Sequence, residues 1–421
     1  MARAAFLFLL ALHSSVQSQE PWTPTPRCDD VHFTLSATAA NRIATNPPKD
    51  LISDPEAIDT FFRQPVAYRN VSGTFTLHAQ LCRPVPPRPR PRTPKLQLLV
   101  HGSTYNHTYW SSLQEPSPSP SDHEALSWVG AATRRGYWTL AVDRLGQGRS
   151  SKPDPVALVQ DQLQTQLLHL LARRIRDDDV LGIGFPSPRQ EGKGKQQQQQ
   201  QQQQLNDDDG GPGKLIYVGH SFGSGLGVHL AAAHPDDFDG LVLTGIATVR
   251  GNPQPGSLLA RWAPAAQAFP ERFPADLPPG YLVSTNKTGR RALYWGAPSA
   301  FDDELFERDW AGQGTNPLGE VLTTGEYLAG LPTEFTKPVL VADGAEDAIF
   351  CSELGSRALG PARCAVGDEG EIGKTRDWFP AVPRDLFATY LQPDAGHDHV
   401  LHKTGDQLIR YAHDWMASVG L

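Results

Sequence analysis

Apolar residues cluster in short runs along this chain: LQLLV within 94–102, TLAV within YWTLAVDR, LIYV within KLIYVGHS, LVL within GLVLTG, VLVA within 338–344, and DLFATYL. Runs of that length, ended by Gly or polar residues, read as buried strands. Residues 73–82 (GTFTLHAQLC) alternate with a period of two and read as one more strand. Helical spacing fills the gaps, first at 122–135 and then at 156–176, where Leu163, Leu167, Leu170 and Leu171 share a face. The small-residue stretch FGSGLGVHLAAAHP and an amphipathic segment at 400–419 complete the helices. This succession predicts an α/β fold with parallel neighbours. Two regions break it. Residues 19–91 are Pro-rich at both ends, and those ends read as surface coil. Residues 246–336 lose the alternation and carry Trp262, Phe269, Phe273, Tyr281, Tyr294, Trp295, Phe306 and Trp310, as an insertion between two strands of one sheet would.

The 421 residues include 38 Lys and Arg against 46 Asp and Glu, a formal net charge of −8, which offers no electrostatic ground for a nucleic-acid partner. With 39% hydrophobic and 20% charged residues a globular chain is expected. Residues 1–18 combine Arg3, an apolar stretch from 4 to 12 and short residues at Val16 and Ser18, the pattern of a signal peptide. That stretch cannot span roughly 30 Å of hydrocarbon, and no later run is long enough, so a secreted protein with no membrane anchor is expected. Cys28, Cys82, Cys351 and Cys364 are an even set without C-x-x-C spacing, which favours disulfides over a metal site. The preferred pairs are Cys28–Cys82 and Cys351–Cys364. Asn70, Asn106 and Asn286 head glycosylation triplets. Nine consecutive Gln at 196–204, within a segment 177–213 that carries two Asp triplets, predict a disordered surface loop.

Gly219-His-Ser221-Phe222-Gly223 matches G-x-S-x-G between a predicted strand and a small-residue helix. A tight turn there lifts the serine oxygen clear of the backbone, and flanking glycines let strand and helix approach. A serine hydroxyl needs a base, and the base needs a group to orient it. His397, after the last predicted strand, is the preferred base over His399 and His402. Asp347, in the loop after 338–344, is the preferred acid over Glu346, while Asp343 belongs to the strand end. His101-Gly102 closes an earlier strand where oxyanion donors are expected. The N–H groups of Phe222 and Ser103, with Thr104 as alternative to Ser103, are the candidates.

In this order, Ser221, Asp347 and His397, with His101-Gly102 and Asp143-Arg-Leu-Gly-Gln-Gly-Arg-Ser upstream, resemble the α/β-hydrolase superfamily. The resemblance implies a mostly parallel eight-stranded sheet with helices on both faces and an inserted lid. The implied layout is an extension with the first strands at 19–93, a core at 94–249 and 336–421, and a lid at 250–335. It implies no cofactor and hydrolysis through an acyl-serine. With Tyr109-Trp110 after the oxyanion loop, the chain is similar to secreted fungal members, some of which modify secondary metabolites. The expected substrate is a small apolar or polyketide-like ester, lactone or thioester. His101, Gly102, Tyr109, Trp262, Phe273 and Trp295 are the candidates to touch it. Two rival readings stand beside this one: an enzyme that opens an epoxide or closes a ring on the same fold, and an inert binding protein.

Overall fold

A computed structural model describes residues 26–44, 66–85, 93–114, 125–185, 213–248, 260–351, 364–365, 367 and 370–421. The expected signal peptide, the Gln run and residues 250–259 of the expected lid lie outside them.

In chain order, strands β1 (Cys28–Arg42), β2 (Tyr68–Cys82), β3 (Lys95–Val100), β4 (Trp138–Val142), β5 (Lys214–His220) and β6 (Gly240–Thr244) enter one large sheet. A three-stranded sheet follows, formed by β7 (Trp262–Pro264), β8 (Tyr281–Ser284) and β9 (Asn316–Pro317). Strands β10 (Val339–Gly344) and β11 (Phe387–Gln392) then return to the large sheet. Its eight strands run β1-β2-β4-β3-β5-β6-β10-β11. The pairs from β4 to β11 are parallel, and β1 and β2 join antiparallel at one edge. This is the mostly parallel eight-stranded sheet that the resemblance implies, with the parallel neighbours that the strand–helix alternation predicts.

Helices α1 (Trp128–Arg134), α2 (Asp161–Asp178) and α3 (Phe222–Ala233) connect the central strands. Within the insertion lie α4 (Ala265–Ala268), α5 (Lys287–Tyr294), α6 (Asp303–Gly312) and α7 (Leu318–Thr323), and α8 (Gly405–Ser418) closes the chain. Successive residues of one strand feed opposite cores. Leu98 and Val100, Tyr217, Leu241 and Leu243, and Val339 and Val341 pack with Leu163, Leu167 and Leu226 of α2 and α3. Their neighbours Leu99, Ile216, Val218, Val242 and Leu340 pack with Trp128, Leu408 and Met416 of α1 and α8. Covering both faces is what makes these strands read as unbroken apolar runs.

The N-terminal region departs from the expected coil. Residues Cys28–Arg42 form a 15-residue strand paired along its whole length with β2, with Phe33, Leu35 and Ala37 buried. Alternation through these three residues carries the strand, and the Pro-rich flanks obscured it. The helix expected from 156 begins at Asp161, because the Asp154 side chain accepts the Val156 and Ala157 N–H groups in a turn.

Cys28 pairs with Cys82 and Cys351 with Cys364, with Cα separations of 4.0 and 4.9 Å. The first bond ties the start of β1 to the end of β2. Replacing both Cys28 and Cys82 by Ser should cost about 2–4 kcal/mol in urea unfolding. Non-reducing peptide mapping should recover the two pairs, and crossed linkages would contradict the register.

Candidate active site

The four loops that matter leave the C-terminal ends of parallel strands, where open α/β sheets gather their ligand-binding groups. Ser221 follows β5, His101–Ser103 follow β3, Asp347 follows β10 and His397 follows β11.

Ser221 adopts φ 53° and ψ −120° between β5 and α3. Its N–H donates to Thr244 O at 2.8 Å. Glycine is required on both sides. A Cβ at Gly219 would come within 2.7 Å of Gly223 O, and one at Gly223 within 2.2 Å of Val100 O. Gly102 lies against the serine itself, since a Cβ there would approach Ser221 Cβ to 2.8 Å.

His397 and Asp347 meet with Nδ1 and Oδ2 2.6 Å apart, and both are buried. The other Asp347 oxygen accepts the N–H groups of Ile349 and Phe350 at 2.6 and 3.0 Å. Burial alone would raise the Asp347 carboxyl, but the charge and hydrogen bond of His397 hold it below the ordinary carboxylate range. Burial likewise disfavours a charged His397, and the Asp347 carboxylate outweighs it, so the imidazole titrates above 6.5. The ring is flanked by Phe350, Tyr294 and His220, with centroids 5.8, 5.9 and 5.0 Å away.

The rival candidates have other partners. Glu346 Oε2 accepts the Ala297 N–H at 3.1 Å. His402 bonds to the backbone of Trp295, Gly396 and Asp398. His399 Nε2 lies 3.0 Å from Asp343 Oδ1, and burial lowers its pKa to about 3. Asp343 was not expected to take part, yet its carboxyl is hydrogen-bonded to Asp347, and burial followed by the Asp347 charge raises it well above the usual range. Cys351 and Cys364 lie over it, with sulfurs 3.8 and 3.7 Å from Oδ2. Asp398, beside His397 in sequence, accepts the Tyr105 hydroxyl, and burial and then Asp309 push it up to about 7.

Of the two candidate donors after Gly102, Thr104 has its N–H bound to Thr315 O at 3.2 Å. Phe222 opens α3 directly after Ser221.

Three candidates for substrate contact prove to be interior. Trp295 is fully buried, donates to Asp309 at 3.0 Å and packs edge-on against Phe301 and Phe306. Tyr109 is buried with its ring stacked on His220 at 4.5 Å. His101 is buried, with Nδ1 donating to Gly102 O at 2.8 Å and Nε2 accepting the Arg144 N–H at 3.2 Å. All three brace the site without lining it. Trp262 is half-buried in β7, and Phe273 is half-buried with the Arg272 guanidinium 5.3 Å from its ring. Among the sequons, Asn70 is exposed on β2, Asn106 Oδ1 accepts from Thr108, and Asn286 caps α5.

A strand-edge serine behind a G-x-S-x-G turn, a buried His–Asp pair and a His-Gly loop on one mostly parallel sheet define a hydrolase-type site. A family model described as the alpha/beta hydrolase fold matches residues 98–351, more than half of the chain, and the chain belongs to that family. A search of curated proteins finds no match. Among solved structures the chain is similar to a thermophilic esterase from Thermogutta terrifontis, at 16% identity over 83% of this chain and 96% of that one, with a TM-score of 0.49. It is also similar to an epoxide hydrolase from Vigna radiata, at 13% identity over 82% and 95%, with a TM-score of 0.46. A Paleococcus ferrophilus monoacylglycerol lipase aligns at 14% identity over 78% and 96%, with a TM-score of 0.45.

The raised pKa of Asp343 makes a pH prediction for stability. The unfolded chain releases the Asp343 proton above about pH 4 and the folded chain releases it at higher pH, so this residue's contribution to stability falls as pH rises from there toward the folded pKa. Asp343→Asn keeps the shape without the charge. It should raise Tm at pH 7 by about 2–4 °C and match the parent near pH 4. A lower Tm at pH 7 would mean the carboxyl is ionised in the fold.

Proposed function

We propose that this chain is an exported serine hydrolase that cleaves a carboxylic ester, lactone or thioester with an apolar body through an acyl intermediate on Ser221. The observation that carries the reading is the strained Ser221 turn at the same sheet edge as the buried His397–Asp347 pair. His397, through the ring nitrogen away from Asp347, takes the Ser221 proton as Oγ attacks the carbonyl carbon. The N–H groups of Phe222 and Ser103 hold the oxyanion, and Asp347 fixes the imidazole tautomer and balances its charge. The leaving group departs with the proton from His397. Water activated by the same ring then releases the acid and restores Ser221.

The insertion acts as a lid in this reading, and Trp262 and Phe273, half-buried within it, are the remaining candidates to select the substrate. Export is supported by the two cysteine pairs, and no described helix is long and apolar enough to cross a membrane.

Intact-mass analysis after fluorophosphonate treatment should show one adduct, mapped to Ser221, and none in Ser221→Ala. Labelling at another serine in that variant would overturn the assignment. The raised pKa of His397 places the acid limb of kcat/KM above pH 6.5, with activity lost as the ring gains a proton. Asp347→Asn removes the charge responsible. It should move that limb to lower pH and cut the plateau on the order of 10²–10⁴-fold. An unmoved limb would mean that Asp347 does not set the base.

A further inference from the structure

The loop after β3 rests on a buried ion pair that the mechanism above does not use. Arg144, from the Asp143-Arg-Leu-Gly segment after β4, donates Nε–H to His101 O at 2.9 Å and Nη2–H to Gly102 O at 3.1 Å. The same guanidinium pairs with Glu320 of α7, with Nη2 and Oε2 3.1 Å apart, and both side chains are buried. Ser103 Oγ donates to that Glu320 oxygen at 3.3 Å. Gln164 of α2 completes the group, accepting from Arg144 Nη1 at 2.7 Å and donating to Glu320 Oε1 at 3.1 Å. Three successive residues of the loop therefore end on one ion pair, and one half of that pair belongs to the insertion.

The direction of these bonds matters. In a planar trans peptide the C=O and N–H point opposite ways. Fixing Gly102 O on Arg144, with His101 Nδ1 as a second donor to it at 2.8 Å, aims the Ser103 N–H away from the ion pair. Gly102 sits against Ser221, so this peptide borders the nucleophile. We propose that Arg144, held by Glu320, is the positioning residue that aims the Ser103 N–H at the oxyanion, so that the oxyanion hole is assembled only when the insertion is docked on the core. This rests on the reading of Ser221 as the nucleophile.

Arg144→Lys keeps the charge and can still reach Glu320, but it lacks the planar fork that grips two carbonyls. Glu320→Gln keeps the shape and an acceptor without the charge. Both would be compared with the parent in p-nitrophenyl butyrate hydrolysis, in circular dichroism, and in inhibition by an aryl trifluoromethyl ketone, whose adduct on serine places an oxyanion in the hole. The expected result for Arg144→Lys is a fall in kcat of about 10–100-fold with KM changed less than about twofold. Weaker ketone binding should follow in step, under a native spectrum. Glu320→Gln should move both readouts the same way by a smaller factor, and it carries the test if Arg144→Lys does not fold. A purely structural role would lower Tm and leave kcat per labelled Ser221 and ketone affinity unchanged, which would overturn the proposal. Absence of fluorophosphonate labelling at Ser221 in the parent would remove the nucleophile reading itself. Normal parent labelling with unchanged ketone affinity in both variants would remove this inference alone.

Discussion

Ser221 holds φ 53° and ψ −120°, a conformation that a residue with a side chain keeps only where its surroundings fix it, against a strain of about 1–3 kcal/mol. The fixing comes from close contact. Val100 O lies where a Cβ of Gly223 would be, so α3 begins pressed against the end of β3. Gly102 is pressed against the serine in the same way, and the Ser221 N–H is held by Thr244 on the neighbouring strand. Two positions without side chains thus set the spacing between Ser221, the helix that starts behind it and the loop beside it. Moving any of them apart would release the strain and disperse the groups together.

Around that turn the charges are distributed unevenly by burial. Asp347 and Asp343 are hydrogen-bonded to each other in the interior, and only the one beside His397 is stabilised as an anion. Asp347 thus has the Asp343 carboxyl as a further partner, beside the imidazole and two backbone N–H groups. A second set of buried groups, Arg290 with Asp309 and Thr104, braces the loop after β3 from the insertion side. Both arrangements place charge in the buried interior, so each depends on its full set of partners.

What could be read along the chain follows from range. The parallel strands were legible because burial on both faces leaves them almost wholly apolar, and the serine turn was legible because its glycines are adjacent to it. His397 and Asp347 were placed by their positions after strands, and the structure brings their side chains to 2.6 Å. Strand β1 was missed because prolines on either side outweighed the alternation of Phe33, Leu35 and Ala37. Trp295 was misjudged as a wall of the pocket because an aromatic inside the insertion's own core looks the same in sequence as one that faces a ligand. Asp343 was assigned to the strand end, but nothing local says that it is hydrogen-bonded to a residue four positions on. The Arg144–Glu320 pair joins residues 176 positions apart, and neither half carries a signal of the other.

The insertion is bonded to the core at both flanks of the site. On one side Tyr294 O accepts the Asp398 N–H, Trp295 O meets His402, and the Ala297 N–H donates to Glu346. On the other, Gly314 and Thr315 grip Thr104, Gln147 bonds to Thr315, and Glu320 holds Arg144. Such a segment is not an exchangeable cassette. A chimera given another relative's insertion would lose the acceptors that orient its own strand-edge loops, however well the new segment folded. A change in the backbone between β6 and β10 therefore has to be matched in the loops after β3 and β11.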